Sequence, residues 1–322
     1  MKHGKKSFMI IEAVLGILVI LVLGFIIYKQ NGHEPATIAV IIPDVDESEW
    51  SAFKYGLKMA AREYDANVVI ISKDNMETVN DEIEIMNQEI VKGADAVIVK
   101  PIANQNGPQK LKQLEKSVPV MVVGDTFPEE PSGLHTIEPD HYHMGADLAQ
   151  KLLENYRGNL IGKKIGIYSQ YATSEAVIKR KKGICDTLKG SGAEILWSVS
   201  KENDSKEKIN LQTQRRVDIV MALDNASFVE AGEAAKDNDR YGAVLYGIGN
   251  STEAVYYLDA GWAQCLVAPD EFDAGYESVA ELIKKRRNFF YKMKDRQITY
   301  TVLTRENLFS EENRNLLFTI SR

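Results

Sequence analysis

A chain of 322 residues with 44% hydrophobic and 26% charged residues is too long for one small core and suits two lobes of ordinary domain size. That hydrophobic share excludes a disordered chain. A formal net charge of −7, with acidic residues in excess overall, excludes a basic face for nucleic acid.

The chain begins with a basic tail, residues 1–7, carrying Lys2, Lys5 and Lys6. An almost unbroken apolar run follows from Phe8 to Tyr28, with Glu12 as its only charge. As a helix, such a run spans about 31 Å, the thickness of a bilayer core. It is longer than the core of a secretory signal, no Ala-x-Ala site follows it, and no cysteine is there to take a lipid. Residues 8–28 are therefore predicted to be an uncleaved transmembrane signal anchor, with a cleaved secretory signal as the alternative. The leading lysines put the N-terminus in the cytoplasm and the rest of the chain outside a cell membrane that it crosses once. Residues 29–36 are a polar linker. The only cysteines, Cys185 on a predicted helix and Cys265 on a predicted strand, are expected to be two unpaired, mostly buried thiols, with a single disulfide as the alternative.

Beyond the linker, strands and helices alternate. TIAVIIP is a strand, and SEWSAFKYGLKMAAREYD has apolar residues at helical spacing behind Ser48, the expected N-cap, with Ser51 as its competitor. ANVVIIS is a strand, TVNDEIEIMNQEIVKG a helix closed by Gly93, and ADAVIVKP a strand. QKLKQLEKS is a short helix, VPVMVVGD a strand and GLHTIEPD another. A second series opens with the helix HYHMGADLAQKLLENYRG and the strand KKIGIYSQ. It continues with the helix SEAVIKRKKGICDTLKGSG, the strand AEILWSVS and the helix DSKEKINLQTQRR. Then come the strand VDIVMALD, the helix NASFVEAGEAAKDND, the strands GAVLYGIG and GWAQCLVAP, the helix DAGYESVAELIKKRRN and the extended segment ITYTVLTREN.

Strands that are apolar on both faces, each followed by a helix, predict α/β architecture with parallel sheets covered on both sides. Ligands of such open sheets bind outside the carboxyl ends of the strands. The polar residues Asp44, Lys100, Asp125, Gln170, Asp224 and Asn250 all follow predicted strands.

IAVIIPDVDESEWSAFKYGLKMAARE, ADAVIVKP, VPVMVVGD, EPDHYHMGADLAQ, RKKGICDTL, MALDNASFVEAGEAA and PDEFDAGYESVAELI occur in this order over residues 37–309. In order and spacing they resemble a type 1 periplasmic binding protein of the ribose- and galactose-binding group. The resemblance implies two Rossmann-like parallel-sheet lobes joined by three hinge crossings. One lobe would take residues 37–140 plus about 270–298, the other 141–269 plus about 299–322. It implies a sugar-binding clamp with no catalytic activity and no cofactor. Its partner would be an ABC transporter permease or the extracellular domain of a sensor histidine kinase.

By position, Trp50 falls on a sugar-stacking aromatic of that group, Glu47 and Glu49 in its polar loop, and Asp224 at an amide or carboxylate ligand. Asp44, Asp125 and Asn250 complete the candidate ligand set. Ile178, or a neighbour if the turn is shifted, falls where an arginine often grips the sugar. Gly249 falls on a common aspartate and Pro269 on a common glutamine. An indole gives the C–H face of a sugar a flat partner and carboxylates accept from its hydroxyls. Bland readings stand beside these. Trp50, Phe53, Leu57 and Ala60 share a helical spacing that suits a core face. Asp125 and Asp224 suit helix N-caps or turns, and Lys179–Lys182 suit a solvated helix face. The acidic turn lacks the glycine and late glutamate of an EF-hand, so no metal is expected there; a cationic ligand is the alternative to a sugar. No nucleophile elbow, P-loop or H-E-x-x-H motif is present, which leaves a glycosidase as the remote enzymatic reading.

Overall fold

The computed structural model describes residues 11–24, 35–43, 48–73, 78–101, 107–124, 133–170, 174–200, 211–237, 242–288 and 290–320. Residues 11–24 form a helix, α1, with its apolar side chains exposed. Among the described residues no helix is long and apolar enough to cross a membrane. Residues 8–10 and 25–28 of the predicted span lie outside the described residues.

From Thr37 onward the chain builds two six-stranded sheets. The first contains β1 (Ala36–Pro43), β2 (Ala66–Lys73), β3 (Ala96–Val99), β4 (Val120–Val123), β5 (His135–Pro139) and β11 (Arg296–Ile298), in the order β11-β5-β4-β3-β1-β2. The second contains β6 (Lys164–Ser169), β7 (Glu194–Ser200), β8 (Ile219–Ala222), β9 (Val244–Ile248), β10 (Ala263–Pro269) and β12 (Tyr300–Leu303), in the order β12-β10-β9-β8-β6-β7. The ladders joining β1, β3, β4, β5 and β11 are parallel, as are those joining β6 to β10, and β12 runs antiparallel to β10. β3, β4 and β8 are buried at every position, as their unbroken apolar sequences require of strands covered on both faces.

The first sheet is flanked by α2 (Ser51–Tyr64), α3 (Val79–Val91), α4 (Gly107–Leu114) and α9 (Glu271–Arg287). The second is flanked by α5 (His141–Asn155), α6 (Glu175–Thr187), α7 (Asn225–Lys236) and α8 (Thr252–Asp259), with α10 (Arg314–Ile320) packed on the same core. In each lobe two helices approach backbone to backbone. A Cβ on Gly56 of α2 would collide with the Phe272 carbonyl of α9, and one on Gly145 of α5 with the Arg180 carbonyl of α6.

Several local expectations are corrected. Neither Ser48 nor Ser51 caps α2. The N-cap is Trp50, whose burial fixes the start of the helix, while Ser51 is its first residue and donates its Oγ–H to the Ser48 carbonyl at 3.0 Å. α9 begins at Glu271, two residues ahead of DAGYESV, because Asp270 caps it through the Asp273 N–H. Residues 204–210 of the predicted DSKEKINLQTQRR helix lie outside the described residues, and its remainder holds only a 3-10 turn, Leu211–Thr213. α8 and α10 were not expected. α8 supplies the crossover that parallel β9 and β10 need.

The chain passes between the sheets three times: from β5 to α5, from β10 to α9, and from β11 to β12. The third passage lies between the other two. Ile298 is paired with Pro139, Pro269 with Tyr300, and the Asp270 N–H donates to the Thr299 carbonyl at 3.0 Å. Its start is tied to α9, where buried Glu281 accepts from Arg296, Lys284 and the Tyr291 hydroxyl. Beyond the passage, the Tyr300 hydroxyl donates to Asp147 of α5 at 2.7 Å.

Candidate ligand-binding cleft

The two strand orders are the same doubly wound pattern, 2-1-3-4-5, with the direction of winding reversing between β1 and β3 and between β6 and β8. Crevices form outside the carboxyl ends of strands at these points. Lys100 follows β3, Gln170 follows β6 and Asp224 stands two residues beyond β8. Of the expected ligand set, Asp44, Glu47 and Asp125 lie outside the described residues.

Trp50 is only 3% exposed. Its ring meets Phe53 edge-on at 5.6 Å, and the Lys100 ammonium lies 4.5 Å from its centroid, a cation–π contact. Its Nε1–H is buried without a hydrogen bond among the described residues. The indole is thus part of the core of the first lobe as well as the floor beneath Lys100. Glu49 places a carboxylate oxygen 4.0 Å from the same ammonium.

Two bonds join the lobes at this point. The Ser48 Oγ–H donates to Glu253 Oε2 at 2.7 Å, and Asn250 Nδ2 donates to the Glu49 carbonyl at 3.0 Å. Asn250 in turn is held by its own N–H, which donates, with that of Ser251, to Asn225 Oδ1 at 3.1 Å.

Asp224 is buried and both its oxygens are engaged. One oxygen accepts from the Ser227 N–H at 2.8 Å and caps α7, and the other accepts from the Gln170 N–H at 2.9 Å. It organises the strand ends of the second lobe. The side chain of Gln170 turns away toward Tyr168 and Glu230.

Three groups missed as site residues come together here. Lys100 was visible as a strand-end cation. Arg180 lies in the basic run expected to be solvated. Lys182 does face solvent, paired with Asp186 at 2.7 Å, but Arg180 turns inward and donates Nη1–H to the Leu223 carbonyl at 2.8 Å. The signal was its spacing: Arg180 follows buried Val177 by three residues and precedes buried Ile184 by four, whereas Ile178 is 46% exposed. Glu271, at the start of α9, is the third. Burial raises its carboxyl to about 7, with Lys100 and Arg180 opposing and Glu49 and Asp270 assisting the rise.

Both cysteines are free, and burial pushes the Cys265 thiol up to about 12. The cleft therefore offers hydrogen-bond donors, acceptors and opposed charges on two facing walls. That suits enclosing a polar molecule.

A sequence model described as a periplasmic binding protein domain matches residues 38–286. No curated protein matches the chain significantly. Solved structures share the fold. The carbohydrate transporter solute binding protein from Agrobacterium radiobacter, in complex with D-arabinose, superposes with a TM-score of 0.77 at 16% identity, covering 88% of this chain and 99% of that one. GanP, a glucose-galactose binding protein from Geobacillus stearothermophilus, gives 0.72 at 15% identity, covering 86% and 99%. The XylFII-LytSN complex gives 0.70 at 15% identity, covering 84% and 98%.

Proposed function

Because this chain belongs to the periplasmic binding protein family, we propose that it is a membrane-tethered extracellular protein that closes on a sugar and presents the closed form to a membrane partner. The family is one of binding proteins, not enzymes. The observation that carries the reading is the meeting of the lobes at the winding-reversal points, through Ser48–Glu253 and Asn250–Glu49. Ligand contacts fall to Lys100, Glu49 and Trp50 on one wall and to Arg180 and Asn250 on the other. Asp44, Glu47 and Asp125 follow strand ends of the first lobe in sequence and are included on that ground. Asp224 supports the second wall from behind. The lobes are assigned as 37–140 plus about 270–298 and 141–269 plus about 299–322.

Closure about the three crossings would reshape the outer faces of both lobes, and a partner would read that shape. Solved structures of this fold include ABC transporter binding proteins and the XylFII-LytSN complex, so the partner class is an importer permease or the extracellular domain of a sensor. The exposed apolar side chains of α1 and the apolar run around it support a membrane anchor. Carbonate extraction of membranes tests the anchor: a chain released into the soluble fraction overturns it. Melting of the purified chain against pentoses and hexoses tests the ligand. At 100 times its dissociation constant a ligand stabilises by about 2.7 kcal/mol, a shift of a few degrees. A folded chain with no shift across the panel overturns the sugar reading.

A further inference from the structure

We propose that the stretch KKRRNFFYKMK, residues 284–294, is a surface by which the first lobe docks on a membrane bearing anionic headgroups. The inference deepens the tethered reading given above and rests on its membrane anchor.

The stretch joins the end of α9 to β11. It carries six Lys or Arg and no Asp or Glu, in a chain whose formal net charge is −7. The fold turns this charge outward. Met293 is buried, and Lys292 and Lys294 on either side of it are exposed. Phe290 is 87% exposed, although an aromatic ring gains by leaving water. Arg287 donates to the Tyr64 carbonyl at 2.7 Å and lies 5.9 Å from the Tyr64 ring, neutral partners that leave its charge standing. The same contact brings the end of α2, with exposed Arg62, to this surface. The acidic groups around it have partners. Asp95 pairs with Arg286 at 3.1 Å and buried Glu281 with Lys284 at 2.9 Å. Glu63 accepts from the Tyr276 hydroxyl at 2.6 Å, and Asp295 from the Thr136 N–H at 3.1 Å. Asp65, which closes α2, stays exposed.

Position and chemistry both fit a bilayer. Asp95, the partner of Arg286, also accepts from the Thr37 N–H at 2.8 Å, so the patch adjoins the start of β1, where the chain enters the lobe. The linker before β1, residues 29–36, reaches at most about 29 Å at full extension. A tether that short holds the patch at high effective concentration over the surface it is tied to. Clustered Lys and Arg attract anionic headgroups, each strengthening binding about fivefold, and an exposed aromatic ring settles at the headgroup level. The patch lies at the amino ends of β1, β3 and β11, the opposite end of the lobe from the cleft. Docking therefore leaves the cleft clear.

The test reconstitutes the full chain into nanodiscs of phosphatidylcholine alone or of equal parts phosphatidylcholine and phosphatidylglycerol, and follows backbone hydrogen exchange over residues 288–295. Exchange should be slower in the anionic discs, and the difference should vanish at about 1 M salt, where the Debye length falls to about 3 Å. Lys292→Ser combined with Lys294→Ser should lower the ratio of docked to undocked chain about 25-fold and leave the melting temperature in detergent unchanged. Equal exchange in the two lipids overturns the inference and leaves the anchor intact. A difference that persists in the double variant also overturns it. If that variant fails to fold, the lipid and salt comparisons on the unaltered chain decide. A chain that carbonate releases overturns the anchor, and its sedimentation with liposomes of the same two compositions then decides the patch alone. Pelleting with the anionic liposomes only supports the patch, and any other result overturns it.

Discussion

Of the helices that start at the cleft, α2 of the first lobe is held differently from those of the second lobe. In the second lobe, α6, α7 and α8 each begin beneath a side chain of their own, with Ser174, Asp224 and Ser251 accepting from the N–H groups of Val177, Ser227 and Ala254. In the first, α2 begins on Trp50, which caps nothing and holds the helix by the burial of its ring. Asp224 and Gln170 at the strand ends of the second lobe are therefore used within the fold, and the ligand contacts proposed for this lobe are Arg180 and Asn250. In the first lobe α3 and α9 are capped in the same way, by Thr78 and Asp270, but burial holds α2, and Lys100 stands over its indole with Glu49 beside the ammonium.

The sharpest way to break this contrast is to remove the ring. Trp50→Ala should cost about 4 kcal/mol of stability, the ordinary loss for a buried aromatic. A midpoint in denaturant within 1 kcal/mol of the parent, by that same scale, would make Trp50 a ligand platform and nothing more. The matching change in the second lobe, Asp224→Ala, removes a buried cap and the acceptor for the Gln170 N–H, and should cost about 2 kcal/mol. An equal or larger loss than for Trp50→Ala would reverse the contrast. A third comparison uses acid. Burial alone would raise Glu281, but hydrogen bonds from Lys284, Arg296 and Tyr291 outweigh it and hold the carboxyl at about 2, below its ordinary 4.5. Its contribution is complete above pH 4.5 and is lost as pH falls toward 2. The melting temperature should fall over that window, and Glu281→Gln should flatten the fall while lowering stability at neutral pH. The smallest effect is expected of Asn250→Ala. Loss of one bond between the lobes should change stability by less than about 1 kcal/mol yet weaken ligand binding, read as a smaller melting shift at fixed sugar concentration.

The sheets were legible because strands such as AVIV, VMVV and IVMA are apolar at every position and fit nothing but a sheet covered on both faces. α8 was not, because only Ala254, Tyr257 and Leu258 of its eight residues are buried, too few to show a period. In the site, polar residues at strand ends could be read one by one, but what each does is set by partners distant in sequence. Asn250 acts through Glu49, 201 residues away. Asp224 is a cap and a tie because Ser227 and the Gln170 backbone reach it. Glu271 sits in a run that reads as the acidic first turn of an ordinary helix. Only the folded chain brings Lys100 and Arg180 to it.

The position of the third passage has a consequence for biosynthesis. β11 closes one edge of the first sheet and β12 one edge of the second, and both come from residues 296–303. α9, which packs on α2, is also made after the whole of β6 to β10. A nascent chain that has released the first 270 residues consequently has neither sheet finished, and the earliest helix after the linker still lacks its packing partner. The two lobes mature together, once residues 296–303 have emerged, and a chain stopped short of residue 296 would expose two open sheet edges at once.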